Sequence, residues 1–131
     1  MPDDPAYEAG MRVRREVLGD AYVDRATAGA TDLTRDWQAH ITRTAWGSVW
    51  TDDTLDRKTR SAITLAVSAA LGRDGEVAIH VRGAINNGVT PAELVEVFRH
   101  MSVYAGVPAA NHAIKIAEGV LGEIEDEARA T

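Results

Sequence analysis

The sequence contains no cysteine. That excludes disulfides, thiolate nucleophiles and zinc–thiolate sites. It also has no long hydrophobic run. The longest mostly apolar stretch, Ile63 to Leu71, is far shorter than the roughly 20 residues that cross a bilayer. The opening "MPDDPAYEAG" is acidic and has no apolar segment, so no signal peptide is expected, and the expectation is a cytoplasmic protein with no membrane partner. Acidic residues outnumber basic ones, 20 to 14: the formal net charge is -6, which argues against a nucleic-acid partner. Lysine is nearly missing, since Lys58 and Lys115 are the two lysines among 14 basic residues. Arginine holds carboxylates bidentately, which suits an acidic small molecule, but codon bias explains the excess as well, so each arginine is judged by its position. No histidine and acid share the spacing of a metalloprotease motif, and no metal is expected.

What is present is a chain of 131 residues with 45% hydrophobic content, enough for one globular domain over residues 1–131. The helix signals are strong. In "VTPAELVEVFRHM", Thr90 is placed as N-cap, Pro91 at the first helical position and Glu93 as the closing member of a capping box. Asn87-Gly88 is a left-handed stop, Gly72 ends another helix, and Gly106 with Pro108 divides two more. The pattern predicts helices at about 5–18, 20–28, 33–46, 56–71, 74–87, 91–105 and 108–125. No stretch alternates like a half-buried strand. The fold class is therefore all-α, a bundle of six to seven helices. The acidic end "GEIEDEARAT" reads as a solvated helix end or a frayed tail.

Chemistry concentrates on the helix at 74–87. Val77, Val81, Ala84 and Ile85 form an apolar arc. Glu76, His80, Gly83 and Asn87 fall within about 60° of one another beside it, with Arg73 at the helix start. Spacing alone leaves two readings open: a small pocket between helices, or a partly exposed face with an ordinary Glu–His pair.

The blocks "YEAGMRVRREVLGDAYVDRA", "ITRTAWGSVW", "LDRKTRSAITLAVSAALGR", "HVRGAINNGVTPAELVEV" and "VYAGVPAANHAIKIAEGVL" run in order from Tyr7 to Leu121 and resemble the carboxymuconolactone decarboxylase family. The wider superfamily includes alkylhydroperoxidase-like reductases, which carry Cys-x-x-Cys-x-x-x-His on this helix. Here Arg73 and Glu76 stand at the cysteine positions and His80 at the histidine. The resemblance implies an alkylhydroperoxidase-like fold whose thiol chemistry is lost, and no cofactor.

The resemblance further implies decarboxylation of 4-carboxymuconolactone to 3-oxoadipate enol-lactone in protocatechuate breakdown, with a small dicarboxylate lactone as the partner molecule. His80 is then the candidate proton donor, since an ordinary imidazole titrates near about 6.5. Glu76 either orients His80 or is itself the acid. Arg73 either holds a substrate carboxylate or neutralises Glu76, and Arg12, Arg14 and Arg15 are further candidate carboxylate holders, with a solvated face at least as open to this segment. Trp46 and Trp50 either wall a dry pocket or serve in packing. Tyr104 is expected in the core. A peroxide reductase is disfavoured without cysteine, and a non-catalytic oligomer binding an acidic metabolite is the other alternative. Several helices look apolar on more than one side, so a homo-oligomer is expected; the resemblance suggests a hexamer.

Overall fold

The computed structural model describes residues 4–131. Every regular element among them is helical. In chain order these are α1 (Pro5–Leu18), α2 (Asp20–Ala28), α3 (Asp32–Ile41), a π-helix (Thr42–Trp50), α4 (Arg57–Ala70), α5 (Asp74–Asn86), α6 (Pro91–Ala105) and α7 (Val107–Ala130). The all-α expectation holds, and the helices fall close to their expected bounds. No helix of the described residues is long and apolar enough to cross a membrane. The chain divides into two compact units, residues 1–57 and 58–131.

In the first unit, α1 packs on the π-helix and on α2, and α3 runs into the π-helix. The α1 contact is backbone against backbone. A Cβ on Gly10 would sit 2.1 Å from the Thr42 carbonyl oxygen, and one on Gly47 would sit 2.4 Å from the Ala6 carbonyl oxygen. Only glycine permits that approach. Val13, Arg14, Val17 and Leu18 are the buried face of α1.

The π-helix departs from the expected pattern, which ended a helix at 46 and placed a loop before 56. Its cause is local. The hydroxyls of Thr42, Thr44 and Thr51 donate to the carbonyls of Gln38, His40 and Gly47 at 2.7, 2.8 and 2.9 Å, and Ser48 donates to Thr44 in the same way. Hydroxyls that occupy carbonyls four residues back compete with the α-helical ladder and favour a wider turn.

The second unit has a continuous apolar core. Leu65 and Ala69 of α4, Val77, Val81 and Ala84 of α5, Leu94, Phe98 and Met101 of α6, and Ala110, Ala113, Ala117 and Val120 of α7 build it. Both helix stops and starts follow the sequence signals. Thr90 accepts from the Glu93 backbone N–H at 3.1 Å, and the Glu93 carboxylate accepts from the Thr90 N–H at 2.9 Å. Gly88 turns the chain with φ at 91°, in the left-handed region glycine favours. One expectation changes. Tyr104, expected in the core, is 81% exposed, because Leu94, Phe98 and Met101 take the inward positions of α6. Of the two readings of the acidic C-terminal segment, the solvated helix end holds: α7 continues to Ala130 and residues 125–130 are exposed.

Candidate active site

Helix α5 carries the chemical face of the second unit. Its apolar arc, Val77, Val81 and Ala84, is committed to the core. Geometry then fixes the neighbouring arc. His80 is buried at 6% exposure and Gly83 is buried beside it. Glu76, one turn earlier, is exposed, and its Oε2 lies 3.7 Å from His80 Nε2. Asn87, at the helix end, donates to the Oγ of the fully buried Ser61 on α4 at 2.9 Å. Arg73 is the exposed N-cap residue of α5. The sequence arc is therefore a graded one: charged at the solvent end, imidazole in the middle, amide pinned to α4 at the far end.

Burial pushes the His80 imidazole down from 6.5 to about 4. At neutral pH the ring is neutral in the free protein. The sequence expectation took an ordinary imidazole, and desolvation is what separates the two. A neutral imidazole offers one N–H donor and one acceptor nitrogen, and it becomes an acid only when negative charge is brought to it.

The remaining expected site residues lie in the first unit. Trp46 and Trp50 are buried on the π-helix, with ring centroids 5.1 Å apart and planes tilted by 30°. Arg12 is exposed on α1. Arg15 is half-buried and already engaged: its Nη1 lies 3.0 Å from Asp20 and 2.9 Å from Asp24. The arginine that goes inward is Arg14, at 5% exposure. The signal was in the register of α1, since Arg14 shares one stripe with Gly10, Val13, Val17 and Leu18. A charged residue on an apolar stripe reads as easily as a misplaced surface residue, which is why spacing did not single it out.

Arg14 lines a cavity of about 310 Å³ in the first unit, together with Met11, Ala30, Ala39, Gln38 and Thr42. In the second unit an open apolar groove lies on α6 and α7 and another on α4 and α6; neither is lined by Arg73, Glu76 or His80. Among the described residues no group of three or more histidine and acidic side chains is placed to hold a metal ion.

Comparison with known proteins bears on what this face does. The model of the carboxymuconolactone decarboxylase family matches residues 35–119. The 4-carboxymuconolactone decarboxylase of Acinetobacter baylyi is 46% identical over 124 residues, 95% of this chain and 92% of that protein. A nitrosuccinic acid decarboxylase of Metarhizium robertsii is 40% identical over 121 residues, 92% of this chain and 85% of that one. A 4-carboxymuconolactone decarboxylase sequence of Pseudomonas putida is 49% identical over 47 residues, 36% of this chain and 98% of that sequence.

Proposed function

The chain belongs to the carboxymuconolactone decarboxylase family, and from that premise we propose that it is a carboxy-lyase converting 4-carboxymuconolactone to 3-oxoadipate enol-lactone and carbon dioxide. The observation that carries the reading is the 46% identity to a protein of that activity over nearly the full length of both chains. The matched family span, 35–119, crosses the boundary between the two units, which supports treating residues 1–131 as one functional domain.

The chemistry asks little of a cofactor. The leaving carboxylate sits on a ring carbon joined through a double bond to the lactone carbonyl. As its bond to the ring breaks, the electron pair moves through that double bond onto the carbonyl oxygen. The dienolate then takes one proton at the ring carbon beside the carbonyl. Substrate dianion and one proton give product monoanion and carbon dioxide. Nitrosuccinic acid, named for the second relative, likewise carries two carboxylates and a nitro group able to accept an electron pair. Both compounds bring their own electron sink.

The protein's tasks are to hold a carboxylate, stabilise the oxyanion and deliver the proton. His80 is assigned the proton. Its burial keeps it neutral in the free protein, and a dianion brought beside it raises its affinity for a proton. The acid is thus charged by the substrate it serves. Glu76 is assigned the orientation of His80, and Arg73 at the start of α5 a substrate carboxylate, with Arg12 as further positive charge; Arg15 serves there only if the substrate displaces Asp20 and Asp24. Trp46 and Trp50 are assigned the exclusion of water. The reading includes a cytoplasmic homo-oligomer, with a hexamer as the expected form.

The test is turnover of 4-carboxymuconolactone in deuterated water. The product should carry one deuterium beside the carbonyl, in one stereochemical sense. His80→Ala should lower turnover by about 10²–10⁴-fold, the loss of a positioned acid. A chain that leaves the lactone untouched refutes the reading, and full stereospecific turnover by His80→Ala removes His80 from it.

A further inference from the structure

The first unit contains a buried charge that no carboxylate neutralises. Arg14 is 5% exposed, and its Nη1 donates to Thr42 Oγ1 at a long 3.5 Å. Its Nε has no hydrogen-bond partner among the described residues. The neighbouring arginines differ. Arg15 is paired with Asp20 and Asp24, Arg35 with Asp32 and Arg43 with Asp4. Among the described residues no ion pair involves Arg14. Asp36, which also lines the cavity, is exposed on α3. An isolated buried charge with an open donor costs several kcal/mol, on the order of the penalty for desolvating an ion. A sequence that keeps arginine there, on a stripe otherwise apolar or glycine, is provisioned for an anion.

The space and the donors say which anion. The cavity beside Arg14, about 310 Å³, is at the small end of ligand sites. Met11, Ala30 and Ala39 give it apolar wall, and Gln38 and Thr42 give it polar wall. Thr42 is oriented already: its hydroxyl donates to the Gln38 carbonyl at 2.7 Å, so a lone pair faces Arg14. With Nη1 turned to Thr42, the guanidinium edge left over is the Nε–Nη2 side. Two parallel N–H groups there match the two coplanar oxygens of a carboxylate. The charge matches too. Arg35 and Arg43 are held by their own aspartates, Asp36 is exposed and makes no ion pair with Arg14, and Arg14 is the buried positive charge left without an ion-pair partner among the described residues. We propose that the Arg14 cavity is a binding site for a small carboxylate, held side-on by the Arg14 guanidinium with its apolar remainder against Met11, Ala30 and Ala39.

The proposal stands apart from turnover and is tested by binding. The full chain is titrated calorimetrically with propionate, with the neutral isostere propionamide and with inorganic phosphate. Propionate should bind saturably, propionamide should not bind, and phosphate should bind at least about tenfold more weakly. Arg14→Gln should weaken propionate by about 10- to 100-fold, the loss of charge-assisted hydrogen bonds. Ala39→Leu, which fills the cavity and leaves Arg14 in place, should weaken it comparably and guards against a misfolded Arg14 variant. No saturable propionate binding, or equal affinity in wild type and Ala39→Leu, overturns the site. Two sources of the carboxylate are then separated by kinetics. Propionate that raises the KM for the lactone marks the site as a receiver of a substrate carboxylate; propionate that leaves KM unchanged marks a separate ligand. Because binding is read without turnover, failure of the lyase assay leaves this result intact.

Discussion

His80 is where burial decides behaviour. Its folded pKa lies at about 4 against 6.5 for the exposed ring, through desolvation. A depressed pKa means the unfolded chain takes up the proton first as pH falls. The stability linked to His80 is therefore complete above about 6.5, declines between 6.5 and 4, and levels off below. The whole effect is on the order of 3 kcal/mol. His80→Gln, which has no titrating ring, should flatten that limb. Chemical denaturation of both proteins at pH 7 and pH 4.5 measures it, and an unchanged slope in the variant would mean that other groups cause the acid sensitivity. The same residue shows what sequence can and cannot supply. Its place on a polar arc beside Glu76 is a matter of helix period and was legible. Its depth is set by the packing of α5 into the second unit's core, which no local spacing encodes. Arg14 gives the converse case. Three arginines within four residues look alike in a sequence, and only the register of α1 against the π-helix separates the buried one from exposed Arg12 and ion-paired Arg15.

Among the elements, those with chemical punctuation were read correctly. Thr90, Pro91 and Glu93 start α6, and Gly88 and Gly106 stop the helices before them, because caps and left-handed turns depend on the residues themselves. The π-helix was missed because its signal is diffuse: hydroxyls at 42, 44, 48 and 51, each bonded four residues back. The paired glycines Gly10 and Gly47 make sense only with two helices already side by side. They also make a sharp test. Gly10→Ala places a methyl 2.1 Å from the Thr42 carbonyl oxygen and 2.8 Å from the Gly47 nitrogen, both backbone atoms that cannot swing aside. The expected cost is about 3 kcal/mol or more. Gly119→Ala, on α7 with nothing within 4 Å of the new methyl, should instead stabilise by about 0.5–1 kcal/mol. Denaturant midpoints of the two variants should move in opposite directions. Equal small shifts would mean that α1 and the π-helix do not meet at Gly10.

At the scale of the molecule, the proposed homo-oligomer can be tested on the apolar surface left over. On α4, Ile63 and Val67 are 48% and 51% exposed, and Leu71 just past its end is 61% exposed. Spaced by four, they form a single stripe. In the first unit Leu33 and Trp37 stand out at 88% and 62%. Exposed apolar residues aligned in this way are uncommon on a monomer, where large ones are scattered singly. Sequence signalled this as helices apolar on more than one side, and it could not separate core face from outer face before Leu65 and Ala69 were seen to take the inner one. The proposed form is a hexamer. Closed symmetry places the same patch on every copy, so one substitution strikes every copy of the interface that uses it. Val67→Glu puts a charge in the middle of the α4 stripe and leaves the buried Leu65 and Ala69 untouched. Light scattering coupled to size exclusion should give a multiple of the 14.1 kDa chain mass for wild type and a smaller multiple for Val67→Glu. Helical content by circular dichroism should stay the same, because Val67 is not part of the core. A wild-type chain that elutes as a monomer at micromolar concentration removes the oligomer. A Val67→Glu chain with wild-type mass moves the interface away from α4, toward the face that carries Leu33 and Trp37.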